Sequence, residues 1–288
     1  VANYMGARHE KAVSETVHPS VLLSLLCGTF LIFFGIILAK PLLTLMGTPD
    51  NVLGQAALYM RIYFVGMPAT MLYNFGAAIL RATGDTQRPL YFLFAAGVIN
   101  VVLNLIFVIC FHMGVAGVAT ATVISQCVSA LLVLRCLIHE TGCFKLYLNK
   151  LHIHKDKLIQ MIRIGLPAGM QGAVFSISNV LIQSSINSFG SIAMAGSTAS
   201  SNLEGFVYTS MNSFYQASLS FTSQNLGAGK KERINKILIT CELLVFTVGL
   251  VMGNAAYFLG DRLLHIYSSD PEVIQYGLMR MQVICTVY

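Results

Sequence analysis

The chain has 288 residues, of which 56% are hydrophobic and only 10% charged, and its mean hydropathy is +0.71. An ordinary soluble domain is about 25% charged, so the composition excludes one and marks a membrane protein. The formal net charge of +6 does not point to nucleic acid, because the basic residues gather in the connections between apolar segments.

A helix needs about 20 residues to cross a hydrocarbon core of about 30 Å. Apolar stretches of that order occupy residues 19–39, 56–80, 89–111, 115–137, 158–188, 192–222, 234–259 and 273–288, about seven complete spans and a last one cut short. Lipid cannot satisfy the backbone of open strands and the alternation of a barrel is missing, so the expected fold is an all-α polytopic membrane protein. Thr48-Pro49-Asp50, Thr83-Gly84-Asp85-Thr86 before Pro89, and Ser269-Asp270-Pro271 are turn chemistry that opens the helices after them. Pro68 and Pro167 fall inside spans, where each removes a backbone bond and can kink its helix. The longest polar stretch, residues 139–157, alternates Phe144, Leu146, Tyr147 and Leu151 with Lys145, Lys150 and Lys155, and is expected to lie along the membrane surface.

With these spans, Arg8, Lys11, Arg81, Arg88, Arg135 and most of the lysines fall at one face, and only Lys40, Arg61, Arg262 and Arg280 at the other. The positive-inside rule makes the first face cytoplasmic. The seven cysteines show no zinc or disulfide spacing. His152 and His154 belong to no ligand constellation, so no metal is expected.

An internal repeat orders the spans. Asn3-Tyr4-Met5-Gly6-Ala7-Arg8 pairs with Gln224-Asn225-Leu226-Gly227-Ala228-Gly229, and the same offset of 221 positions places Gly28 on Gly249, Leu42-Leu43 on Leu263-Leu264, Pro49-Asp50-Asn51-Val52 on Asp270-Pro271-Glu272-Val273, and Met60 on Met281. Between equivalent points the number of spans is even, so the two units enter the membrane with the same orientation and the repeat is parallel. A duplicated unit of this size implies an intact protein of roughly 440 residues, with the chain beginning inside one unit and stopping inside the next. The expected division is an N-terminal lobe at 1–138, a linker at 139–157 and a C-terminal lobe at 158–288.

Polar residues inside the spans supply the candidate sites. Glu204 stands twelve residues beyond Ile192, about 18 Å down a helix and near the bilayer midplane. An acid there is costly unless it faces a cavity or a partner, so it marks a proton, ion or substrate path; the packing alternative is a protonated Glu bonded to a neighbouring helix. Asn100 and Asn104 share one helix face and offer carbonyl oxygens to a cation or hydrogen bonds to another helix, with Thr120, Thr122, Ser125 and Gln126 on the next span. A third group, Gln171, Ser176, Ser178, Asn179, Gln183 and Asn187, follows Pro167, with Asn179 and Gln183 again four apart. No phosphate-binding loop, nucleophile elbow or zinc-protease motif is present, and no nucleophile and base converge in the spans, so an enzyme is not expected and no catalytic residue is assigned.

Val1-Ala2-Asn3-Tyr4-Met5-Gly6-Ala7 with its echo Ser223-Gln224-Asn225-Leu226-Gly227-Ala228, Leu80-Arg81-Ala82-Thr83-Gly84-Asp85-Thr86 and Gly165-Leu166-Pro167-Ala168-Gly169 resemble the multidrug and toxic compound extrusion (MATE) transporters over essentially the whole chain. The resemblance implies a MATE/MOP-type architecture of twelve helices, two parallel six-helix repeats around a central cleft, with this chain running from the loop before the third helix into the tenth. It also implies export of small amphipathic, often cationic compounds in exchange for H⁺ or Na⁺, from the plasma membrane, a bacterial inner membrane, with no cofactor beyond the coupling ion, no nucleic-acid partner and a monomer when complete. The family's first-lobe cation site joins an acid on the first helix, which would precede Val1, to a polar pair on the fifth and a hydroxyl on the sixth. Asn100 and Asn104 resemble that pair, and Thr122 the hydroxyl, although many members have Asp where Asn104 stands. Where some sodium-coupled members carry an acid on the seventh helix, this chain has Gln171, and Glu204 on the eighth is expected to take over. A flippase for lipid-linked saccharides shares the architecture but would be expected to use a larger, more basic cleft.

Overall fold

The computed structural model describes residues 1–45, 48 and 50–285. Pro49 of the repeat and residues 286–288 of the last expected span lie outside the described residues. Helices follow one another throughout: α1 (Ala2–Gly6), α2 (Glu10–Leu45), α3 (Asp50–Val65), α4 (Met67–Ala82), α5 (Gln87–Leu105), α6 (Gly114–His139), α7 (Lys155–Asn187), α8 (Ser191–Gly227), α9 (Glu232–Leu264) and α10 (Pro271–Cys285). Two compact units divide between Ile162 and Arg163.

Among the described residues, α2, α5 with the turn after it, α6, α7 and α9 are each long and apolar enough to cross a membrane, and α3 and α4, bent by 48° at the break between them, meet the same test as a pair. The bend falls at Gly66, with Pro68 at the start of α4, as a proline that can donate no backbone bond predicts. Two expected spans differ. Residues 192–222 do form a helix, α8, but its run of Ser, Thr, Asn and Gln keeps it below the hydropathy of the other spans, and α10 has only 15 described residues. Large apolar side chains such as Phe33, Ile37, Phe94, Phe246 and Phe258 point outward from these helices, a surface suited to lipid rather than water.

Helix α2 begins nine residues before the expected start and runs straight through Pro19. Beside it Thr16 Oγ1 donates to Ala12 O and Ser20 Oγ to Thr16 O.

In the first unit, α2 packs on α3 and α4, and α6 packs on α3, α4 and α5. Val13, Val17 and Val21, four residues apart on α2, meet Leu72, Ala77 and Leu80 of α4 and Ala130, Val133 and Leu137 of α6. Tyr73 OH donates to Pro89 O at 2.9 Å. Gly28 lets α2 approach the break between α3 and α4, because an added Cβ would overlap the Pro68 backbone. Gly28→Ala is expected to cost about 1–3 kcal/mol by overpacking, read as a lowered Tm, whereas Gly97→Ala, within α5 and with open space around it, does not lower Tm because alanine favours the helix.

The linker is anchored to the first unit. Leu146 is 1% exposed within the first unit's core, and its N–H donates to Leu137 O at 2.9 Å. The next N–H, of Tyr147, donates to His18 Nε2 at 3.1 Å, and the two rings stack.

The turn after α4 has Gly84 at φ 96°, as Thr83-Gly84-Asp85 predicts. There Asp85 and Arg88 pair, and Arg88 also reaches Glu140 at 2.7 Å. Burial pushes the Asp85 carboxyl up, but the hydrogen bonds and charge of Arg88 outweigh it and hold the group below the usual carboxylate range. A depressed folded-state pKa adds stability that is complete above the unfolded value, about 3.9, and is lost as pH falls through the folded value. Asp85→Asn should therefore flatten the fall in Tm below about pH 4; a profile identical to wild type would show that the pair does not hold this turn.

In the second unit, α8 packs on α9 and α10, and α10 on α9. Small residues make the α8–α10 contact close: an added Cβ at Gly196 would overlap Val273 O, and one at Gly277 would crowd Gly196 O while pressing on Leu264 of α9. Ala199, Val207, Ala256, Leu264, Ile274 and Met281 form the core. Buried residues are absent from the span of α7.

The repeat is visible in local geometry. The bounds of α2 and α3, moved by 221 positions, match those of α9 and α10 to within two residues. The ends of α1 and α8 close alike: Ala7 N–H to Asn3 O and Ala228 N–H to Gln224 O are both 3.0 Å, and Arg8 N–H to Met5 O and Gly229 N–H to Leu226 O are both 3.1 Å. Arg8 and Gly229, equivalent positions, both take positive φ, 56° and 71°.

Candidate functional site

Two polar sites form, one in each unit. In the first, Asn104 Nδ2 donates to Asn100 Oδ1 at 2.9 Å, and Asn100 Nδ2 stands 3.4 Å from both Thr122 Oγ1 and Ser125 Oγ. The hydroxyl protons are already spent, Thr122 on Val118 O and Ser125 on Thr122 O, so both oxygens face the amide as acceptors. Sequence spacing put the asparagines on one face; the packing of α5 on α6 brings Thr122 and Ser125 to them, while Thr120 bonds to Ala116 O. Asn104 Oδ1 is buried and has no hydrogen-bond partner among the described residues. Such an acceptor costs about 1–3 kcal/mol when left alone, and it is the ligand type that a hard cation takes. A π-helical turn, Ile106–Cys110, follows two residues later, an irregularity common at functional sites.

In the second unit, Glu204 lies thirteen positions into α8 and meets Arg280, nine positions into α10. Arg280 Nε donates to Glu204 Oε1 at 3.0 Å and Nη2 to Oε2 at 3.1 Å, a bidentate pair. Ser200 Oγ donates to Glu204 Oε1 at 3.0 Å, and Arg280 Nη1 bonds to Ser197 Oγ. Both serines are buried; Ser197, Ser200 and Glu204 recur at three- and four-residue intervals, so one face of α8 carries them all. The Glu204 and Arg280 side chains are only 11% and 24% exposed.

This pair forms one wall of a cavity of about 300 Å³ lined also by Phe175, Asn179, Gln183, Ser201 and Tyr208. The Phe175 and Tyr208 rings lie 6.4 Å apart and within 11° of parallel. Glu204, Asn179 and Gln183, selected from sequence, thus come together. Gln171 does not line the cavity and is exposed on α7, eight residues before Asn179. Arg280 was expected at the external surface; the close α8–α10 contact brings its guanidinium onto Glu204. Its signal was available, since a carboxylate inside a span needs a charged partner and Arg280 is near a second span. Glu242 lines a separate, more apolar cavity of about 420 Å³ with Met211, Phe214, Tyr215 and Phe246. No cluster of three metal-ligating residues occurs among the described residues.

The two sites do different chemistry. The first offers amide and hydroxyl groups with one unpartnered oxygen, Asn104 Oδ1, whereas the second holds a pair of opposite charges beside aromatic rings.

The model of the MatE family matches residues 1–106 and 167–288. A probable multidrug resistance protein of Bacillus subtilis, YoeA, is 29% identical over 93% of the chain, and a FAD transporter of Shewanella oneidensis is 24% identical over 94%. The chain spans 60% and 61% of those relatives. Its fold matches that of a multidrug resistance MATE family transporter of the MOP superfamily, solved in an outward-facing conformation, with a TM-score of 0.90 at 22% identity over 99% of this chain and 64% of that one. With several helices long and apolar enough to cross a membrane and a family match across most of its length, this chain belongs to the MatE family of membrane transporters.

Proposed function

We propose that the chain is the greater part of a twelve-helix, two-lobed antiporter that exports amphipathic compounds by alternating access, driven by inward H⁺ or Na⁺. The carrying observation is the largely buried Glu204–Arg280 pair at the wall of a cavity, on helices that the sequence reading sets across the membrane, where charge beside a cavity marks a transport path. Support for the coupling ion comes from the orphaned Asn104 oxygen beside Asn100 and Thr122. One site for a cation and another for a larger molecule are what coupled exchange requires, each occupant altering the other's affinity. The relatives' names, multidrug resistance protein and FAD transporter, favour export of organic molecules. The protein would work as a monomer in a bacterial inner membrane, its apolar flanks against lipid. A saccharide-lipid flippase is disfavoured because the one arginine of the second cavity is neutralised by a carboxylate.

Accumulation of a fluorescent dye in cells expressing the intact gene tests this. Accumulation below that of empty-vector cells, restored when the Na⁺ or H⁺ gradient is collapsed, is expected. Export that persists without either gradient would overturn the antiport reading.

A further inference from the structure

Taking the second unit's cavity as the transporter's substrate site, as proposed above, we infer that it selects zwitterionic aromatic amphiphiles, molecules with one cationic and one anionic group on a flat ring frame. Its two charged lining groups, Glu204 and Arg280, are opposite and already paired. A monocation reaches Glu204 only by displacing Arg280, which leaves a guanidinium within the span with Ser197 as its remaining partner. A monoanion that takes Arg280 over from Glu204 leaves a carboxylate with Ser200 as its remaining partner. Either exchange strands a charge where water is scarce, and breaking one half of a desolvated pair is far more costly than replacing both halves together.

A zwitterion replaces both. Its cation takes the carboxylate, its anion takes the guanidinium, and the cavity stays neutral before and after. The geometry favours a stepwise exchange, because a guanidinium has five N–H donors and Arg280 uses three, two on Glu204 and one on Ser197. The remaining N–H groups can meet a ligand carboxylate or phosphate before the internal pair opens. The near-parallel Phe175 and Tyr208 rings supply an apolar wall for a flat frame, and the Asn179 amide adds a neutral polar contact.

Rhodamine 110 and its methyl ester, rhodamine 123, isolate the charge. They share the cationic ring system, and only rhodamine 110 has a free benzoate. Fluorescence polarisation with the purified protein in lipid nanodiscs at neutral pH should show rhodamine 110 binding at least about tenfold more tightly, a difference of 1.4 kcal/mol. Arg280→Gln leaves Glu204 unopposed and should reverse the order. The swapped variant Glu204→Arg with Arg280→Glu keeps both charges and should restore the preference for rhodamine 110, which general damage to the fold would not do. Equal affinities, or a preference for rhodamine 123 in the wild type, would overturn zwitterion selection while leaving the cavity as the substrate site. Binding of neither dye, or binding that no variant alters, would remove the cavity as the substrate site and the selectivity with it.

Discussion

Arg280→Gln is expected to destabilise the purified protein by about 3 kcal/mol, and Glu204→Gln by a similar amount, whereas the double variant recovers most of the loss. Removing one member of a desolvated pair leaves the other unpaired, a cost of about 3–5 kcal/mol, but removing both leaves only neutral amides. The lower end applies because Arg280 keeps 24% of its side chain exposed. Here the pair joins α8 to α10 across 76 positions of sequence, so the loss should appear in the cooperative unfolding of the second unit. Thermal unfolding of the four proteins forms a double-mutant cycle. If the two single losses simply add in the double variant, the side chains do not interact and the pairing is wrong.

Asn104→Leu is expected to reduce ion-driven export at least about tenfold, equivalent to 1.4 kcal/mol of lost ion binding, with little change in stability. The substitution removes one buried acceptor that has no partner, Asn104 Oδ1, but orphans another, Asn100 Oδ1, which loses its 2.9 Å donor. The two stability effects oppose each other, while the oxygen facing a cation disappears outright. Asn104→Asp acts in the other direction: a carboxylate in place of a carbonyl should tighten cation binding, seen as half-maximal export at a lower Na⁺ concentration or a higher pH. Export that is indifferent to both substitutions would separate this cluster from coupling.

How much of the site was legible depends on the range of the interaction. Asn100 with Asn104, and Asn179 with Gln183, are four residues apart, and a helix alone puts such pairs on one face. Glu204 stood out because an acid amid apolar residues is costly wherever the helix packs. Arg280 was misplaced for the opposite reason. It lies close enough to the start of its helix to pass as a surface anchor, and only the contact of Gly196 with the Val273 backbone sets α10 where Arg280 reaches the carboxylate. Gln171 was selected as part of the polar group after Pro167 and by family resemblance, but it sits on a part of α7 that the cavity does not include.

The fold divides along the same line. The sequence by itself determined that the chain is helical, roughly where the helices run, and that its two ends repeat, because a backbone in lipid must satisfy its own hydrogen bonds within each segment. The matched ends of α1 and α8, with Arg8 and Gly229 both at positive φ, follow from residues in immediate succession. Tertiary structure alone decided that α2 continues through Pro19, that Leu146 of the linker docks in a core, that Asn104 keeps an unpaired oxygen and that Glu204 is matched by Arg280. Each of these depends on which surface a neighbouring helix presents, and that is set by close packing between residues far apart in sequence, which local periodicity does not encode.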